Sequence, residues 1–167
     1  MEIVVDGKLH GLKWSAAHII PNHPKCGRLH GHDYVLSVRI DIEDNDSIKN
    51  TLSQQGYILD FGDIKDIAKE VIKEMDHHFL LPIKHNLINI NGEDYAEYYG
   101  IVLQKNHIFE LNVPIASSEN LAKYFENIMM RRIGLLISEL RAHDKLGWFN
   151  YSVHVAVFEG EGQGAWM

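Results

Sequence analysis

Residues 30–43 read His30-Gly31-His32-Asp33-Tyr34-Val35-Leu36-Ser37-Val38-Arg39-Ile40-Asp41-Ile42-Glu43. The even positions carry Tyr34, Leu36, Val38, Ile40 and Ile42, and the odd positions include Asp33, Ser37, Arg39, Asp41 and Glu43. A period of two belongs to a strand with one buried face. One covered face and one wet face point to an antiparallel sheet. The apolar face opens with two histidines, His30 and His32, whose rings therefore point toward the core.

Upstream, residues 2–20 are expected to be a strand region, with Leu12, Trp14, Ala16, His18 and Ile20 on one face. His23-Pro24-Lys25-Cys26-Gly27 reads as a loop. Downstream, residues 43–55 are polar and are expected to form a long turn. Ile64, Ile67, Ala68, Val71, Ile72 and Met75 then recur at helical spacing. Asp60 or Asp63 can cap that helix, which is expected to end near Met75-Asp76. Between residues 79 and 112, short strands are expected at 87–90, 101–103 and 107–111, with Asn91-Gly92 as a turn. A second helix is expected from Ser117-Ser118 to about Arg141, with the stripe Leu121, Phe125, Ile128, Met129, Leu136 and Leu140. Residues 151–159 read as the last strand, and residues 160–167 as a glycine-rich tail. The order β–β–α, short strands, α–β predicts an α+β fold, with helices on one face of an antiparallel sheet. No repeat or linker divides residues 1–167, which are expected to be a single domain.

Composition narrows the function. The chain has 167 residues, 46 % apolar and 23 % charged, and a core of this size buries roughly 70 % of the unfolded surface. A net charge of −7 argues against nucleic-acid binding. No apolar run is long enough to cross a bilayer, and Met1-Glu2-Ile3-Val4-Val5-Asp6 does not read as a signal peptide. The single cysteine, Cys26, excludes an internal disulfide and fits a reducing cytosol. The unusual count is 11 histidines.

His18, His30 and His32 share inner-face parity on strands joined by residues 20–29. If those strands pair, three imidazoles converge at one end of the sheet. Three histidines around an open position make the ligand set of a catalytic Zn²⁺; separate hydrogen-bonded histidines are the alternative. Cys26 reads as a fourth ligand, an inert thiol, or a nucleophile or base, and Lys25 and Arg28 beside it favour the thiolate. Asp76-His77 can be a carboxylate–imidazole pair, although adjacent side chains usually diverge and the bland reading prevails on local evidence. Glu159 shares the inward parity of Val153, Val155 and Val157, and a carboxylate there needs a partner.

Together, Ser15-Ala16-Ala17-His18, Cys26-Gly27-Arg28-Leu29-His30-Gly31-His32, Leu59-Asp60-Phe61, Met75-Asp76-His77-His78, Ser117-Ser118-Glu119-Asn120 and Phe158-Glu159 resemble the motifs of the 6-pyruvoyltetrahydropterin synthase family, in the same order and over nearly the whole chain. The 6-carboxytetrahydropterin synthase branch is the nearer match, because three residues separate Cys26 from His30; the animal pyruvoyl-forming enzymes have a longer gap. The resemblance implies a T-fold, an antiparallel sheet with two helices on one face whose subunits assemble into a barrel. It implies Zn²⁺ on His18, His30 and His32, and Cys26 as the proton-abstracting base. It further implies Asp76 and His77 as a proton relay, Glu159 on the amino-pyrimidine edge of the pterin, and Ser118 and Glu119 at its border. The activity implied is that of a zinc-dependent lyase converting 7,8-dihydroneopterin triphosphate to 6-carboxy-5,6,7,8-tetrahydropterin, acetaldehyde and triphosphate, for the 7-deazaguanines queuosine and archaeosine. The alternatives are a pyruvoyl-forming or other side-chain-processing relative, and a silent zinc- or pterin-binding module. A cytoplasmic homo-oligomer with shared active sites, a hexamer, is implied as well. Lys25 and Arg28 are the candidate cations for the triphosphate of an otherwise acidic protein. The chain departs from the family at Ala116-Ser117, where Pro-Thr is usual, and in the length of residues 79–112.

Overall fold

The computed structural model describes residues 1–160 and 162–167. The element that organises it is β3 (His30–Ile42), whose two edges carry different partners. Along one edge lie β1 (Glu2–Val5) and β2 (Lys13–His18), end to end. Along the other lies β9 (Tyr151–Glu159), antiparallel from Tyr34↔Glu159 to Ile42↔Tyr151. The expected strand region over residues 2–20 is therefore interrupted, by the short helix α1 (Gly7–His10). Asp6 starts that turn by accepting from Lys8 N at 2.8 Å and Leu9 N at 3.2 Å. Gly11, in the left-handed region, stops it.

The sheet continues from β2 to β4 (His78–Pro82) and β8 (Ile108–Leu111), and both of these pairings are parallel. At the opposite edge the expected tail forms β10 (Gln163–Trp166) on β9. Arg39, on the neighbouring β3, stacks its guanidinium over Trp166 at 5.6 Å.

The parity read from the sequence holds through the core. Leu12, Trp14, Ala16, Tyr34, Leu36, Val38 and Ile40 are buried on the helix side of the sheet. Against them pack α3 (Phe61–Lys73) and α4 (Ser118–Ala142). Asp60 caps α3 by accepting from Gly62 N at 2.6 Å. Its apolar face is Ile64, Ala68, Val71 and Ile72, and the helix ends at Lys73, slightly before the expected Met75. On α4 the buried residues are Leu121, Ala122, Phe125, Met129, Ile133 and Ile137. The expected stripe through Leu136 drifts off this face in the second half of the helix.

The expected long turn over residues 43–55 is instead the helix α2 (Asp46–Gln55). Asn45 caps it, accepting from Ile48 N at 2.9 Å, Gly56 ends it in the left-handed region, and Ile48 and Thr51 are its buried contacts.

Residues 83–107 leave the main sheet as a meander of β5 (Asn86–Ile90), β6 (Glu93–Tyr98) and β7 (Ile101–Gln104), closed by a single 3₁₀ turn, Lys105–His107. Asn91-Gly92 and Tyr99-Gly100 have positive φ throughout, as two-residue hairpin turns require. Ala96 and Tyr98 pack on Ile19, Phe79 and Leu81, so the meander covers the sheet face away from the helices. None of the described helices is long and apolar enough to cross a membrane.

Candidate metal centre and active site

β2 and β3 meet so that His18 and His30 are cross-strand partners, with Ala16 opposite His32. The three imidazoles share the core-facing side of the sheet. Each offers a ligand nitrogen, and these lie within 4.8 Å of one another. His18 is buried, while His30 and His32 are partly open.

The neighbours of the rings fix which nitrogens are bare. His18 Nδ1 lies 2.6 Å from the Ala116 carbonyl oxygen, and His30 Nδ1 lies 2.8 Å from the Arg28 carbonyl oxygen. A carbonyl only accepts, so each Nδ1 carries the hydrogen and each Nε2 presents a lone pair. The two Nε2 atoms face each other at 3.1 Å. Two lone pairs at that distance repel unless a proton or a metal ion lies between them. Tetrahedral Zn²⁺ with bonds of about 2.0–2.1 Å would hold its ligand nitrogens about 3.3 Å apart. Among the described residues His32 Nε2 is buried without a hydrogen-bond partner, and the Glu159 carboxylate stands 3.7 Å away. An orphaned buried nitrogen beside two ring nitrogens turned inward is a donor set that can hold a metal ion, and the residues fit a divalent cation.

The Tyr34 hydroxyl lies 3.2 Å from His18 Nδ1, beneath the triad. Burial, then the charges of Glu159 and Cys26, push that hydroxyl well above the ordinary tyrosine value, so it stays neutral. Burial also holds the His18 imidazole below the ordinary histidine value, against the opposing pull of the Ala116 carbonyl. Neutral imidazole is the form that binds a metal.

Cys26 is half-buried in the loop between β2 and β3 and does not join the ligand group. Lys25 and Arg28 flank it, both exposed, with no hydrogen bond or ion pair through their side chains among the described residues. Asp76 and His77 do converge, at 3.0 Å from Nδ1 to the carboxylate. The reason is backbone geometry: His77 is left-handed at φ 61°, which folds its ring back on its neighbour. The Ser15 amide donates to Asp76 at 2.9 Å, and this bond, more than His77, holds the carboxyl below its usual range. The His77 side chain is 80 % exposed, and no hydrogen bond or ion pair among the described residues joins the pair to the triad.

Ser118 and Glu119 begin α4, just after the Ala116 carbonyl that orients His18. The Glu119 carboxylate accepts from its own amide and from Ser117, and these bonds lower its pKa. A cleft of about 760 Å³ runs past Ser15, His32, His77 and Phe79 to Leu103 and His107, so the meander contributes one of its walls. A cleft of about 880 Å³ between α2 and the end of α4 holds none of the candidate residues.

Sequence reasoning alone did not single out Tyr34, the Ala116 and Arg28 carbonyls or the Ser15 amide. Only Tyr34 carries a signal there, since it shares the parity of His30 and His32.

A family profile described as 6-pyruvoyl tetrahydropterin synthase matches residues 10–162. A Methanocaldococcus jannaschii protein provisionally assigned as a 6-carboxy-5,6,7,8-tetrahydropterin synthase is 32 % identical over 99 % of this chain and 94 % of its own length. The 6-carboxy-5,6,7,8-tetrahydropterin synthase of Haemophilus influenzae is 28 % identical over 75 % of this chain and 82 % of its own. Among solved structures, the 6-pyruvoyltetrahydropterin synthase of Plasmodium vivax superposes with a TM-score of 0.76 at 24 % identity, covering 100 % of this chain and 96 % of that one. At that identity the likeness speaks to the fold.

Proposed function

The chain belongs to the 6-pyruvoyl tetrahydropterin synthase family, and from that premise we propose that it is a zinc-dependent 6-carboxy-5,6,7,8-tetrahydropterin synthase acting on 7,8-dihydroneopterin triphosphate. The observation that carries the proposal is the convergence of His18, His30 and His32, with two Nε2 lone pairs turned inward by backbone carbonyls. The names of the relatives and the three-residue gap between Cys26 and His30 support the carboxy-forming product.

His18, His30 and His32 hold the Zn²⁺ in this reading. When bound, it supplies Lewis acidity that makes the protons of the substrate's vicinal hydroxyls easier to remove. Cys26 takes a side-chain proton as the base. The Asp76 carboxylate, 3.0 Å from His77 Nδ1, keeps the ring oriented, so that its other nitrogen can take and return a proton. Glu159 accepts from the amino-pyrimidine edge of the pterin. Ser118 and Glu119 border that ring from the start of α4. With one water consumed, the products are 6-carboxytetrahydropterin, acetaldehyde and triphosphate, and the pterin enters 7-deazaguanine synthesis in a reducing cytosol. Release of triphosphate from 7,8-dihydroneopterin triphosphate tests the reading. A protein that binds zinc and pterin but releases none would be a silent binding module.

The exposed pair Asp76–His77 suits a substrate held partly by another subunit, and we expect a homo-oligomer, a hexameric barrel closed by pairing of strand edges. A monomer by light scattering at micromolar concentration would contradict this.

The phosphate-reading role falls to Lys25 and Arg28, because a net charge of −7 draws no anion from a distance. Arg28→Ala is expected to raise KM for the triphosphate substrate far more than for dihydroneopterin. Equal effects on both would remove Arg28 from that role.

A further inference from the structure

The loop that carries Cys26 is built around His23. Gly27 N donates to the His23 carbonyl at 2.9 Å, closing one helical turn. Pro24 occupies its first position, where a missing N–H leaves nothing unsatisfied. His23 Nδ1 accepts from Cys26 N at 2.9 Å and from Lys25 N at 3.4 Å. Taking the amides two and three residues ahead is the work of an N-cap side chain, usually Ser, Thr, Asp or Asn; here an imidazole nitrogen does it. The turn is also tied to the end of β2, since His23 N donates to the Ile20 carbonyl at 3.2 Å and Ile20 N to the Cys26 carbonyl at 2.8 Å. Both backbone groups of Cys26 are thus fixed, the carbonyl by the Ile20 amide two residues past β2 and the amide by the His23 ring.

We propose that His23 is a positioning residue for Cys26, its Nδ1 capping the turn so that the thiol is held at one place in the site. The catalytic half of this rests on the reading of Cys26 as the base. A base must stand within hydrogen-bond reach of the proton it removes. Without the cap the Cys26 amide loses its partner, and the turn opens for part of the time. An acceptor nitrogen occupied by two amides is not a proton carrier, so an asparagine oxygen at the same place should serve equally well.

The test uses the intact zinc-loaded protein and its His23→Ala and His23→Asn variants, read in two ways. The first is the rate at which iodoacetamide alkylates Cys26, followed by mass, which is unambiguous because the chain has a single cysteine. The second is kcat and KM for 7,8-dihydroneopterin triphosphate. His23→Ala is expected to alkylate faster and to lose up to about fivefold in kcat, the fold-change that corresponds to a cap worth about 1 kcal/mol. Its KM should hold, and His23→Asn should restore both readings. Wild-type alkylation in His23→Ala would overturn the proposal, as would failure of His23→Asn to rescue. Faster alkylation with unchanged kcat would show that the cap holds the loop without serving turnover, and would overturn the positioning role, while turnover lost in Cys26→Ala would still mark Cys26 as the base.

Discussion

Cys26→Ala is expected to keep its zinc and to lose about 10²–10⁴-fold in turnover, the range that a positioned acid or base contributes. The expectation follows from the ligand group, which contains three imidazoles and not the thiol. A fourth protein ligand would close the coordination sphere and make the centre structural. With Cys26 outside it, three imidazoles would hold the ion and leave room for water or a substrate hydroxyl, and the thiol would be free to work on the substrate. Metal analysis and initial rates on the same preparation decide the matter. Loss of zinc along with the thiol would mean a closed four-ligand centre, and retention of turnover would mean that the base is another group.

His30→Ala is expected to lose its zinc. His30 brings its Nε2 to 3.1 Å from that of His18, and the Arg28 carbonyl holds its tautomer. Loss of an outer-shell partner typically costs about 10–100-fold in metal affinity, and removal of a ligand should cost more. A milder effect is expected from Tyr34→Phe. The Tyr34 hydroxyl approaches His18 at 3.2 Å, but the Ala116 carbonyl, closer at 2.6 Å, keeps that ring oriented. Full zinc occupancy in His30→Ala, measured by elemental analysis after dialysis, would remove the three-histidine assignment.

The parts of this site written in side-chain parity are legible in the amino-acid sequence. A strand alternates strictly, so His18, His30 and His32 must share the face of Trp14, Tyr34 and Leu36 once β2 and β3 pair. Main-chain groups leave no such trace. Which carbonyl meets His18 depends on where the start of α4 docks, and every residue type carries a carbonyl. The Asp76–His77 contact accompanies a left-handed His77, a conformation that histidine enters more often than most residues but still too seldom to be read from the sequence.

The misread elements have equally specific causes. α2 is polar and buries little, so periodicity hardly registers, while its caps, Asn45 and Gly56, are the informative residues. On α4 a step from Met129 to Leu136 follows a seven-residue spacing. Over 25 residues the burial instead advances through Ile133 to Ile137, a four-residue step. β6 begins Glu93-Asp94-Tyr95 and hides its inward Ala96 and Tyr98 behind acidic neighbours. The tail forms a strand because β9 offers an unpaired edge, a property of the partner that the tail's own composition does not express.

The 6-pyruvoyl and 6-carboxy names carried by the similar proteins differ in the product formed, so the identity of the product is what separates the two readings. The most direct measurement is therefore to incubate the zinc-loaded protein with 7,8-dihydroneopterin triphosphate and to quantify the pterin and the aldehyde together by mass spectrometry. A carboxy-forming synthase is expected to give 6-carboxytetrahydropterin and acetaldehyde in equal amounts. A 6-pyruvoyl product with its side chain intact and no acetaldehyde would contradict that reading.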